Sequence, residues 1–154
     1  MLKILIVDDE PAICSSLAFA LEDNYMVATA GSAEAALTAI TEQAFDLILL
    51  DLKLGSVDGM EVLQQIKELD SNMIVIIMTA YGSIKSSVAA IKAGAFYYLT
   101  KPINMDELDM LLINASEYIG MRSKIEYLND KLTERREIAG IVGTSAPIRH
   151  IMGI

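Results

Sequence analysis

One cysteine, one histidine and a shortage of basic side chains mark this sequence, and each narrows what the chain can do. A lone Cys14 cannot build a disulfide framework; it stands among apolar residues of the first helical segment, where a small buried hydrophobe in a reducing cytoplasm is expected. With 12 Lys and Arg against 21 Asp and Glu, the net charge is −9. That balance argues against a surface for nucleic-acid phosphates and suits a cation-binding site. No apolar run approaches the roughly 18 residues of a membrane helix, and the chain opens directly on a strand pattern, so neither a transmembrane segment nor a signal peptide is expected. The G-x-x-x-x-G-K-[ST] loop is missing, which excludes ATP hydrolysis by that route. The single histidine, His150, is expected to serve packing or the surface.

What is present is 154 residues, 53% of them hydrophobic, enough for one domain with a sizeable core plus an appendage. The organising stretch runs from Phe45 to Met60. Leu47 to Leu50 is an apolar run without polar alternation, the pattern of a strand covered on both faces, and it delivers Asp51 at its C-terminal end. Ile4 to Val7 releases in the same way into Asp8-Asp9-Glu10, Met73 to Met78 into Thr79-Ala80, and Ala95 to Leu99 into Thr100-Lys101-Pro102. Open parallel sheets bind ligands at this edge. Carboxylates gathered there repel one another, and a divalent cation resolves the conflict; hard oxygen ligands suit magnesium, which commonly bridges to a phosphoryl group. Asp51 is then a candidate nucleophile able to form an acyl phosphate. Lys101 would supply charge, and Thr79 a hydroxyl, to the phosphoryl oxygens.

Helical periodicity fills the intervals. Pro11 fits the first position of a helix carrying Ile13, Leu17, Ala20 and Leu21 to about Glu22. Tyr25 to Ala30 reads as a second strand, and Ser32 caps a helix with Ala36, Leu37 and Ile40 on one face. Asp58 with Glu61, and Asn104 with Glu107, read as capping boxes of the third and fifth helices, so a structural role is expected for Asp58. The third helix has the stripe Val62, Leu63, Ile66 and Leu69. Ser83 opens the fourth, with Ile84, Val88 and Ile91, and Lys92-Ala93-Gly94 closes it with a cationic turn and a C-cap glycine. Five strand and helix repeats with short connections predict a doubly wound α/β fold.

Val7-Asp8-Asp9-Glu10-Pro11, Leu50-Asp51 followed by Asp58-Gly59, Met78-Thr79-Ala80 and Tyr98-Leu99-Thr100-Lys101-Pro102 occur in order. Together they resemble the receiver domain of two-component response regulators over residues 1–120. The resemblance implies a flavodoxin-like parallel sheet of order 2-1-3-4-5, a phosphoacceptor at Asp51 and a sensor histidine kinase as partner. It implies Mg2+ held by Asp9, Asp51 and the Lys53 carbonyl, with Asp8 acting through water. Thr79, Ala80 and Lys101 would surround the phosphoryl group, Tyr98 would be the switch aromatic, and the bond before Pro102 would be cis. Gly55 departs from the pattern, standing where many receivers carry proline, so a looser loop is expected after Asp51. Lys53 and Tyr81 are expected to cover the water path to Asp51.

The fifth helix continues past the domain. Leu111, Asn114, Tyr118, Met121, Ile125, Leu128 and Leu132 are spaced by threes and fours, the seam of a dimerising coiled coil in a linker over residues 121–139; a single helix packed back on its own domain is the alternative. Gly140 is expected to end it. Ile141 to Met152, within residues 140–154, resembles the opening of the central ATPase domain of sigma-54-dependent activators of the nitrogen-regulatory type. Contacts with sigma-54 RNA polymerase and DNA would then belong to domains absent from this chain. The expected function is a signalling module rather than an enzyme acting on other substrates. A flavodoxin-like cofactor binder would need a phosphate-cradling loop in place of Asp8-Asp9-Glu10, and an aspartyl phosphatase would need an acid where Lys53 stands.

Overall fold

The computed structural model describes residues 1–80 and 82–142, with side-chain surroundings through residue 129. Tyr81, the side chain of Leu132, and residues 143–154 with His150 lie outside the described residues. The chain divides into two compact units, Met1–Leu112 and Ile113–Ile154.

In chain order the elements are β1 (Lys3–Val7), α1 (Pro11–Leu21), β2 (Met26–Ala30), α2 (Ala33–Glu42), β3 (Leu47–Asp51), β4 (Lys53–Leu54), β5 (Val57–Asp58), α3 (Gly59–Leu69), β6 (Ile74–Thr79), α4 (Ile84–Lys92), β7 (Tyr97–Thr100) and α5 (Met105–Val142). The main sheet has the order β2-β1-β3-β6-β7, all neighbours parallel. This is the expected 2-1-3-4-5 order, since β4 and β5 form a separate antiparallel ribbon.

The three inner strands are the three unbroken apolar runs, because helices cover both of their faces. Leu5, Val7, Ile48, Leu50, Val75 and Ile77 alternate onto one face and pack with Ala36, Val62, Leu63, Ile66 and Ala90. The intervening Ile4, Ile6, Leu47, Leu49 and Ile76 are equally buried. Register then sets the site. Val7 pairs with Leu50, so the next residues, Asp8 and Asp51, leave the sheet side by side; Asp51 pairs with Met78 and Thr79 with Thr100.

Polar side chains start the helices. Ser32 accepts from the Ala35 N–H and Asn104 from the Glu107 N–H, and Ser83 and Ser86 form a full capping box on α4. Asp58 accepts from the Met60 N–H, one residue short of the Glu61 N–H that a capping box uses. Gly94, at φ +107°, turns the chain out of α4, a conformation that glycine adopts without a Cβ penalty.

Several expectations differ from what is observed. Leu69 is 56% exposed at the last turn of α3, and Ala20 is exposed on α1. On α4 only Ala90 is buried, and Ile84 is 86% exposed. Leu111 belongs to the buried set of the first unit rather than to an exposed seam. Gly140 does not end α5, which continues to Val142; a glycine costs a helix only about 1 kcal/mol and does not by itself stop it. The last sheet strand begins at Tyr97, two residues later than expected.

Gly59 is packed directly against backbone. Its N–H donates to the Leu52 carbonyl at 2.7 Å, and an added Cβ would stand 2.4 Å from Leu52 Cα and 2.6 Å from the Asp51 carbonyl oxygen. Backbone cannot yield as a side chain does, so Gly59→Ala is expected to destabilise the domain by roughly 1–3 kcal/mol. Urea unfolding followed by far-UV circular dichroism checks this.

Candidate functional site

Four strand ends supply the site. Asp8, just past β1, is fully buried, and Asp51 and Thr79, at the ends of β3 and β6, are buried with it. Lys101 follows β7, its side chain only 10% exposed, and its Nζ donates to Asp8 Oδ2 at 2.6 Å and Asp51 Oδ2 at 3.0 Å. Glu10 Oε1 lies 3.9 Å from the same nitrogen. The Lys101 backbone is fixed by its N–H bond to the Thr79 carbonyl at 2.8 Å, and the Lys101–Pro102 peptide is cis.

Backbone donors hold the remaining carboxylate oxygens. The Glu10 N–H donates to Asp8 Oδ1 at 2.9 Å, the Lys53 N–H to Asp51 Oδ1 at 3.1 Å and the Gly55 N–H to Asp9 Oδ2 at 2.9 Å. Each carboxylate oxygen carries two lone pairs, so these bonds leave acceptor capacity for a cation. Carboxylate oxygens of Asp8, Asp9 and Glu10 lie within 4.8 Å of one another. An all-oxygen cluster of this kind matches a hard divalent ion.

Burial pushes the Asp51 carboxyl above its ordinary range; the Lys53 N–H and the Lys101 ammonium offset this only in part. For Lys101, burial alone would favour the neutral amine, but hydrogen bonds from its ammonium to Asp8 and Asp51, with their charges, outweigh it and raise its pKa. Cys14 is raised by burial first and then by the Asp8 charge; its Sγ donates to the Asp8 carbonyl at 3.4 Å, in keeping with a buried structural thiol.

Of the other residues singled out in the sequence, Ala80 and Lys53 are exposed at the rim of this edge. Tyr98 stands apart from the acids, half-buried, with its hydroxyl 2.8 Å from Ser86 Oγ on α4. Tyr118, Met121, Ile125 and Leu128 are exposed along α5. Sequence reading did not single out Ser86 or the Gly55 amide. Ser86 had only helix-start spacing as a signal, and Gly55 only its unusual residue type. The segment after Asp51 pairs with itself as the β4–β5 ribbon.

Residues 4–113 match the response regulator receiver domain family. The chain belongs to that family. The receiver is similar to the alginate biosynthesis transcriptional regulatory protein AlgB of Pseudomonas aeruginosa, 37% identical over 151 residues, 97% of this chain and 33% of the relative. It is also similar to the transcriptional regulatory protein ZraR of Escherichia coli K12, 36% identical over 152 residues, 98% and 33% of the two chains. Thus it spans about a third of the length of these curated relatives. Among solved structures, NtrX from Brucella abortus aligns with a TM-score of 0.77 at 32% identity, covering 83% of this chain and 30% of that one. A CheY-like receiver domain protein from Methanospirillum hungatei aligns at 0.71 and 37% identity, covering 76% and 95%. The cofactor-binding flavodoxin alternative finds no support. Among the described residues no helix is long and apolar enough to cross a membrane.

Because the Asp51 carboxyl is raised on folding, its contribution favours the folded receiver below the ordinary carboxylate range and is lost as pH rises through the raised value. Charged Asp51 therefore costs stability at neutral pH. Asp51→Asn is expected to unfold at higher urea than wild type at pH 7 without divalent ions, the gap closing as pH falls to about 4. Equal midpoints at pH 7 would show that Lys101 fully compensates the burial.

Proposed function

We propose that this receiver takes a phosphoryl group from a phosphohistidine of a sensor kinase onto Asp51. The observation that carries this reading is a buried aspartate at the end of the central strand with a lysine ammonium 3.0 Å away. A carboxylate oxygen of Asp51 attacks phosphorus, and the phosphorus–nitrogen bond to the donor imidazole breaks. Asp9, Asp51 and the Lys53 carbonyl would hold Mg2+, with Asp8 acting through water; the ion would supply charge neutralisation between carboxylates and phosphoryl oxygens. Lys101 then contributes its charge to the transferred group, and Thr79 a hydroxyl. Ala80, next to Thr79 in the chain, would border the phosphoryl group. The signal leaves through Tyr98, whose hydroxyl must give up Ser86 when the ring turns, altering the surface of α4, β7 and the start of α5.

Domain use follows from the same reading: receiver over 1–120, dimerising linker over 121–139 through Tyr118, Met121, Ile125, Leu128 and Leu132, and the start of an ATPase domain over 140–154. The chain would act in the cytoplasm as part of a longer transcriptional activator, with sigma-54 RNA polymerase and DNA as partners of the other domains. Similarity to two transcriptional regulatory proteins across nearly the whole chain supports this.

Incubated with Mg2+ and radiolabelled acetyl phosphate, wild type is expected to gain a base-labile label that Asp51→Asn loses completely, because an amide is not a nucleophile. Label retained on the variant would move the acceptor elsewhere. For the linker, Ile125→Asp with Leu128→Asp is expected to give a monomer in sedimentation that still labels at Asp51; a persisting dimer would place the contact on the receiver.

A further inference from the structure

Tyr98 reaches α4 from the edge strand β7. It stands in register beside Ile77, on the sheet face covered by Val62, Leu63, Ile66 and Ala90, and its ring packs against that cluster. At the far end its hydroxyl lies 2.8 Å from Ser86 Oγ. A Cβ added at Gly82 would stand 3.5 Å from Tyr98 Cε1 and 3.6 Å from the hydroxyl, so the phenol tip is seated both on the backbone before α4 and on the first turn of that helix. Tyr98 and Ser86 are both half-buried, and water competes less for such a bond than on an open surface.

The other groups around Ser86 Oγ belong to Ser83: its N–H at 3.1 Å, its hydroxyl at 3.0 Å and its carbonyl at 3.2 Å. Among the described residues Tyr98 is thus the nearest partner and the only one from another element. With one proton and two lone pairs, a serine hydroxyl can keep bonds to its cap and hold Tyr98 as well.

We infer that Ser86 is a positioning residue for the switch: its hydroxyl holds the Tyr98 ring in the orientation seen here and so sets what fraction of the receiver is already switched before Asp51 is modified. The inference rests on the reading that a phosphoryl group at Asp51 turns the Tyr98 ring. One intramolecular hydrogen bond favours the state that makes it by a net factor of roughly 2–10. This falls far short of the roughly ten-thousandfold bias that carries a two-state equilibrium from one side to the other, so Ser86 restrains the ring without locking it. Ring and phosphoryl group share one equilibrium. Loosening the ring therefore tightens the binding of a phosphoryl mimic by the same factor, as long as the switched form is the minor one.

Beryllofluoride with Mg2+ serves as the mimic, and 13C-labelled tyrosine rings report the switch, the Tyr98 signal being identified by its loss in Tyr98→Phe. In the free protein, Ser86→Ala is expected to move this signal toward its beryllofluoride-bound position, with a switched-to-resting ratio roughly 2–10-fold above wild type, and to bind beryllofluoride more tightly by the same factor. Ser86→Thr keeps the hydroxyl and is expected to restore both. Ser83→Ala controls for the helix cap. It removes the side chain that accepts from the Ser86 N–H at 3.0 Å but leaves Ser86 Oγ to Tyr98, so the wild-type Tyr98 signal is expected to persist. An Ser86→Ala signal that stays in place or moves away from the bound position, or an equal displacement in Ser83→Ala, would overturn the positioning role. A wild-type Tyr98 signal that beryllofluoride and Mg2+ fail to move would instead overturn the reading of the switch beneath it.

Discussion

The Lys101 ammonium between two buried carboxylates is the interaction on which the rest of the receiver depends. Asp8 and Asp51 are both shut away from water at the sheet edge, and an uncompensated buried charge costs several kcal/mol. Lys101 reaches both at once. It can do so only if β7 lies beside β6 in the observed register and the Lys101 N–H bonds the Thr79 carbonyl. Sheet order, strand register and site chemistry are therefore one constraint seen at three scales.

One lysine does not balance the acids around it. Asp9 and Glu10 add exposed carboxylates to the buried pair, and the oxygens of the first three acids converge within 4.8 Å. Burial keeps the Asp51 proton affinity high even with Lys101 in place. The edge thus carries surplus negative charge with lone pairs to spare, the electrostatic condition for taking up a cation.

The start of α4 and the Tyr98 ring meet at one hydroxyl. Thr79 ends β6 at the site, and a few residues later Ser83 and Ser86 build the cap of α4. Ser86 Oγ accepts from the Ser83 N–H and also meets the Tyr98 hydroxyl. A shift of Tyr98 therefore acts on a hydroxyl that already terminates the helix.

Much of this protein was determined by the sequence itself. The runs ending at Val7, Leu50 and Met78 had to be inner strands, because residues buried on both faces show no polar alternation. Asp8, Asp51, Thr79 and Lys101 stand at or just past the C-terminal ends of strands, so any parallel sheet of these strands brings them to one edge. The tertiary structure decided contacts made by backbone groups or across long sequence separations. Leu69 is apolar at helical spacing, but at the last residue of α3 it is 56% exposed. Ser86 gains a second partner only when β7 arrives beside α4. The Gly55 amide meets a carboxylate 46 positions away, and an amide of that kind is common to every residue except proline. Its direction is set by φ and by the ribbon pairing, neither of which residue type alone encodes.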